Sequence, residues 1–571
     1  MQTARRLYLY AMSGVTLAVV SGGLAILLEV VISGTGILDR PSYDYRPSSR
    51  EQLSQAIAML GVGIPVWAIH WWIVQRGAGR GGPEGDVERG SALRGIYLTI
   101  ALAVSLLVWV TGGVDALRAV LMQASGARPD QLYLDPVGAA SRTVVALLVW
   151  LYHGSIRRAD LRRGEVGGVA AWAPRLYLYG VCLPALWAAI SAIGSIALFL
   201  VTTDPGFGGD DYARIQAISG AVVLPTVGLV WLGHWRYASR IARSDDWRGA
   251  AERISKTRLA AFVATIVVAA GFAISGIASV VEAVVSRLAL YVPGQDDSIV
   301  GRLIPSLAVA VPWALAWWLH VQWLRREPAS ADPARALHQA RLETHGVSGV
   351  ALAIGATALG WLLGLVIDVA FGGDRTRALI DGPPFWMHEV AFWLPLAAAG
   401  LGVWVWQWSF VLARRRRDPE GEANSTIRRT FLYLTVAVAL VAALGSAAVI
   451  LYRVVGTVLG AGLSGNAISE LSTPIGASIA AVVVLAYHGL LLRSDQKLRP
   501  TSVEVAPAVA GAVEPAAPPD AGPAPTVAEA GPPRVRRTVE IVGPEGADLD
   551  ATIELVRGAL PDGFDLRAPG P

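Results

Sequence analysis

Lysine is nearly missing from this chain: there are two, against 20 tryptophans in 571 residues. Cysteine is scarcer still, and the lone Cys182 excludes an intrachain disulfide and any cysteine-rich metal site. Charge is low, at 16% of residues, where a soluble globular protein carries about 25%. The net charge of +4 is no nucleic-acid signal, because the arginines stand in short clusters beside apolar runs and form no single patch. Familiar catalytic signatures are also missing. No phosphate loop, no G-x-S-x-G elbow and no dinucleotide fingerprint occurs, and "HEVAF" at 388 lacks the second histidine of a zinc protease helix. The glycine-poor "GPEGAD" near the C-terminus reads as a helix-capping loop.

What is present is apolar surface. Hydrophobic residues make up 54% of the chain, and runs of about 20 of them, enough to cross a bilayer at 1.5 Å per residue, can be marked off twelve times. They begin near Leu7, Leu53, Ile96, Val144, Leu176, Ile215, Leu259, Leu303, Val347, Phe385, Phe431 and Ile475. Alternate loops differ in basic charge by roughly threefold, and basic loops stay inside, so both termini are expected to be cytoplasmic, in the cell membrane. The N-terminal apolar run exceeds a signal peptide's core and reads as the first, uncleaved helix.

A local pattern ties alternate runs together. "VWAIHWW" at 66 to 72 places His70 among tryptophans, and related segments place His153, His234, His320 and His488 alike, with Gln407 taking the histidine's position in "VWVWQW". Steps of 81 to 87 residues between these positions make each repeat a helical hairpin. An even number of crossings per unit points all six copies the same way, which disfavours inverted-repeat transporter folds.

The first helix of each hairpin has its own opening, "RRLYLY" at 5, "PRLYLY" at 174 and "RRTFLY" at 428, with weaker forms at 93 and 257. Arginine with tyrosine one turn deeper reads as a headgroup anchor. The fifth pair, opening "THGVSGVAL", lacks it. Repeated pairs with these openings and V-W-x-x-H-W closings resemble a prokaryotic family of integral-membrane domains known only as a domain of unknown function, number 5671 of its series. The resemblance covers residues 4 to about 497 as three four-helix units, expected at 1–168, 169–327 and 328–499, and brings no activity, cofactor or catalytic residue.

Beyond Pro500 the composition turns to proline and alanine, which reads as an extended linker over 500–533. Residues 534–571 read as a small αβ segment, with strands at 538–542 and 564–568 flanking an amphipathic helix at 548–560.

Two sets of intramembrane polar residues are candidates for function. The first is the histidine set with Gln407. Imidazoles near one depth can hydrogen-bond a neighbouring helix, ligate haem or a metal from several pairs, or titrate together near neutral pH. Gln407 favours the hydrogen-bonding role, since glutamine replaces histidine there but poorly as a ligand or a titrating group. The second set is Glu29, Asp115, Glu282 and Asp368, each in the last turns of an odd-numbered helix. They suit helix-end solvation or a proton or cation path. Asp115 can pair with Arg118 at i+3, whereas Glu282 and Arg287 are five apart and less well placed. Prolines such as Pro65, Pro225 and Pro395 read as kinks, and Gly360 and Gly364 suit close helix approach.

These features describe an all-α polytopic membrane protein with a C-terminal αβ segment. Its expected role is that of a non-enzymatic scaffold or sensor in the lipid bilayer, with no cofactor and a cytoplasmic protein partner for the tail. A transporter or channel is the alternative, and a haem-bearing redox protein the third.

Overall fold

A computed structural model describes residues 2–36, 48–125, 135–163, 169–201, 209–287, 299–327, 332–372, 384–458 and 466–498. The chain divides into two compact units, Met1–Thr501 and Ser502–Pro571. The second lies outside the described residues, and with it the expected linker and αβ segment.

Twelve long helices fill the described part. They are α1 (Gln2–Gly34), α2 (Ser49–Ala78), α4 (Ala92–Ala124), α5 (Pro136–Arg163), α6 (Val169–Val201), α7 (Gly209–Ala242), α9 (Lys256–Val285), α10 (Ile299–Arg326), α11 (Pro333–Ala370), α12 (Phe385–Arg417), α14 (Thr426–Val458) and α15 (Ala467–Lys497). Three short helices, α3 (Gly82–Arg89), α8 (Trp247–Arg253) and α13 (Pro419–Asn424), link the second and third long helices of successive groups of four. Local chemistry sets several starts. Ser48 and Glu51 form a reciprocal capping box on α2, Asp332 caps α11 and Asn466 caps α15.

Eleven of the twelve are long and apolar enough to cross a membrane, which fits a multi-pass membrane protein. The exception is α5, which the sequence reading counted as a span. Between Arg142 and Arg157 it has about 14 residues, ~21 Å of helix at 1.5 Å each, short of a ~30 Å hydrocarbon core. It nevertheless packs as α10 and α15 do.

Consecutive long helices form six hairpins. In each group of four, the first helix also packs on the fourth: α1 on α5, α6 on α10, α11 on α15. The third helix reaches the next group, α4 packing on α6 and α7, and α9 on α11 and α12, so the principal contacts make a row of three units. Val441, Leu434 and Leu444 face outward at more than 60% exposure, an apolar surface suited to lipid and not to water. Small residues mediate the closest approaches, because lipid supplies no hydrophobic drive for helices to associate. An added Cβ on Gly364 would lie 2.8 Å from Thr473 Cα, and Gly476 faces the Gly360 carbonyl and the Gly364 amide, so α11 and α15 touch backbone to backbone.

Candidate functional site

All five histidines of the repeat donate a hydrogen bond from Nδ1 to the carbonyl four residues back: His70 to Val66 at 2.7 Å, His153 to Val149, His234 to Val230 and His320 to Ala316 at 2.8 Å, and His488 to Val484 at 2.9 Å. That bond fixes the tautomer and leaves Nε2 as an acceptor. In three hairpins a tyrosine hydroxyl from the partner helix donates to it, Tyr8 to His70 at 3.1 Å, Tyr97 to His153 at 3.2 Å and Tyr177 to His234 at 3.1 Å. Phenylalanine takes the tyrosine's place in two others, Phe262 against His320 and Phe431 against His488, where Nε2 of His488 is buried without a partner. Tryptophans extend the ladder: Trp71 Nε1 donates to Tyr152, Trp150 to Tyr177 and Trp408 to Tyr487. The histidines lie within separate hairpins, and among the described residues no three His, Cys, Asp or Glu side chains converge on a metal-sized site.

A second network recurs once per unit at the face that carries the N-terminus. Three segments share E-x-x-S-x-x-R: "ERGSALR" at 88, "ERISKTR" at 252 and "EANSTIR" at 422. The glutamate sits on the short helix and receives an arginine from the unit's first helix. Arg6 reaches Glu88, Arg175 reaches Glu252 and Arg341 reaches Glu422, each at 2.8 Å. Tyr10 and Tyr179, one turn on, donate to the other oxygens of Glu88 and Glu252. The motif's serine precedes the third long helix. Its arginine is buried and pairs with an acid at the end of the fourth: Arg94 with Asp160 at 2.7 Å, Arg258 with Glu327 at 2.8 Å and Arg428 with Asp495 at 2.6 Å. A tryptophan following the histidine or Gln407 position stacks over the guanidinium, Trp235 on Arg258 and Trp408 on Arg428. Two short helices are locked again by their own arginines, Arg89 donating to the carbonyls of Ala78 and Arg80, and Arg253 to those of Ala242 and Ser244. At the start of α8, the Ser244 hydroxyl and then the Gly249 amide hold the Asp246 carboxyl below its usual range.

These contacts correct two readings of the sequence. Arg6 and Arg175 are more than headgroup anchors, being ion-paired within the protein. The fifth hairpin does carry the opening: Arg341 and His345 stand where Arg6 and Tyr10, and Arg175 and Tyr179, stand in the other units. The opening begins one turn before "THG", and histidine in the tyrosine's place hid it.

The four acids fall at separate places. Asp115 pairs with Arg118 at 3.7 Å on its own helix. Glu282 receives Ser286 at 2.9 Å and faces Arg302 of α10 at 3.8 Å, a partner from the other helix of its hairpin. Asp368 is fully buried and accepts from Ser469 of α15 at 2.9 Å. Glu29 is partly buried beside Gly138 at the start of α5.

A cavity of about 810 Å³ lies where α10 meets α11 and α12. Trp317, Trp318, Trp406 and Phe410 form its apolar walls, and Glu343, Gln407, Arg325 and Arg414 its polar ones. Gln407 is 5% exposed and Glu343 8%.

The profile of the family described as Domain of unknown function (DUF5671) matches residues 6–152, 175–315 and 341–487. Its three starts are Arg6, Arg175 and Arg341, the arginines that hold the short helices. No curated protein matches the chain, and no solved structure does.

Proposed function

The chain belongs to the DUF5671 family, whose domain it carries three times, and on that premise we propose that it is a non-enzymatic membrane scaffold or sensor. On this reading α5 crosses with the eleven longer apolar helices, because it packs as α10 and α15 do; the chain then spans the cell membrane twelve times with both termini in the cytoplasm, and its C-terminal tail meets a cytoplasmic protein partner. One observation carries the reading: the polar side chains that repeat with the units are mostly engaged inside them. Arg94, Arg258 and Arg428 are spent on Asp160, Glu327 and Asp495, and Tyr8, Tyr97 and Tyr177 on His70, His153 and His234. Groups so engaged hold helices in register and offer little to a substrate. The non-repeated tail is then the part left for recognition.

The test compares the full chain with a chain ending at residue 500, each as bait in crosslinked membranes and each in proteoliposomes for proton and cation flux. A scaffold loses its captured partner with the tail and supports no flux in either form. Flux that survives truncation and disappears in Glu29→Gln with Asp368→Asn would replace the scaffold with a transporter.

A further inference from the structure

The two junctions between units differ at two positions that change together. Where unit one meets unit two, Trp150 Nε1 donates to the Tyr177 hydroxyl at 2.9 Å, and that hydroxyl donates to His234 Nε2 at 3.1 Å. One unit further on, the equivalent positions are Trp317, Glu343 and Gln407: Glu343 stands two residues after Arg341 as Tyr177 does after Arg175, and Gln407 takes the histidine's turn of the repeat. A ring and an imidazole have become a carboxylate and a carboxamide, and the space they vacate is part of the 810 Å³ cavity.

The charges left there are incompletely satisfied. Glu343 has its one ion pair among the described residues with Arg325, at 3.7 Å, and no hydrogen bond. Arg325 is 64% exposed and lines the cavity. Arg414 reaches Thr344 with one nitrogen at 3.4 Å and faces Glu422 with its Nε at 3.7 Å, while its second terminal nitrogen is buried without a hydrogen bond. Trp318, Trp406 and Phe410 are exposed on helices apolar enough to cross a membrane. A buried carboxylate with no hydrogen-bond donor, beside two guanidinium groups whose ion pairs are no closer than 3.7 Å and an exposed aromatic wall, matches one chemical class. We infer that the cavity binds an amphiphile with a primary ammonium and a phosphate, the headgroup chemistry of an aminophospholipid. The ammonium donates to Glu343, the phosphate accepts from Arg325 and Arg414, and the acyl chains leave along the tryptophans. Choline has no N–H to donate and phosphatidylglycerol has no cation, so each leaves one side of the site unanswered. This inference goes beyond the scaffold reading and stands whether or not the tail recruits a partner.

The full chain, delipidated in mild detergent, would be titrated separately with dioctanoyl phosphatidylethanolamine, phosphatidylcholine and phosphatidylglycerol, with bound lipid counted by native mass spectrometry. The expected result is one phosphatidylethanolamine per chain, held at least about tenfold more tightly than the other two. Glu343→Gln should remove that preference. Glu343→Tyr with Gln407→His, which rebuilds the sealed junction, should abolish binding while leaving the melting temperature equal or higher, and so separates a filled site from a misfolded one. Equal binding of the three lipids, a preference for phosphatidylcholine or phosphatidylglycerol, or undiminished phosphatidylethanolamine binding in both variants would overturn the assignment.

Discussion

Arg428 Nε lies 2.6 Å from Asp495 Oδ2, and the two side chains are 0% and 1% exposed. A pair so deeply enclosed adds little net stability over an apolar pair of the same shape, yet breaking it strands a buried charge. Asp495→Asn is therefore expected to destabilise the protein by about 3–5 kcal/mol, read as a lower denaturation midpoint in detergent. Arg428→Met combined with Asp495→Leu should recover most of that loss. A single variant costing under about 1 kcal/mol would place the pair in the class of solvated surface ion pairs.

Tyr177 is the middle of a three-member relay, so Tyr177→Phe removes both the acceptor of Trp150 and the donor to His234. The expected loss is about 1–2 kcal/mol, with the lower melting temperature accompanied by red-shifted tryptophan emission as Trp150 loses its partner. Tyr8→Phe, which silences a single bond to His70, should cost less.

The α11–α15 crossing is predicted to tolerate no side chain. Gly476→Leu meets the Gly360 carbonyl and the Gly364 amide, and is expected to lower folded yield sharply in size-exclusion chromatography. Gly180→Ala, with open space around it, should behave as the native chain does.

Removing residues 502–571 should leave the melting temperature of the remainder unchanged, since Met1–Thr501 forms a compact unit of its own. A drop of several degrees would show that the tail braces the helices.

The architecture was largely written in the hydropathy and in the histidine spacing, because apolar runs of bilayer length and a period near 81 to 87 residues are strong linear signals. The number of spans was less legible: α5 has the helix but not the apolar length. The ion-paired staples were missed for a physical reason. Arg94 and Asp160 are 66 residues apart in sequence, and nothing local distinguishes a buried arginine from one among headgroups. A signal did exist in E-x-x-S-x-x-R at 88, 252 and 422, but it repeats with every second hairpin, so a search at the hairpin period passes over it. The cavity was half legible. Gln407 stood out as the odd member of the histidine series, whereas Glu343 was invisible until the fifth hairpin's opening was placed one turn earlier.

The central claim, that the recurring histidine is a packing residue, bonded across its hairpin at His70, His153 and His234, and not a ligand, is tested most directly by one variant carrying His70→Gln, His153→Gln, His234→Gln, His320→Gln and His488→Gln. Its absorption spectrum with and without dithionite and its melting curve would be compared with those of the native chain. The account predicts no Soret band in either protein and a folded variant that melts somewhat lower, because glutamine can take up the same hydrogen bonds, as Gln407 stands in that position already. A stoichiometric visible chromophore in the native protein that the variant loses would contradict it.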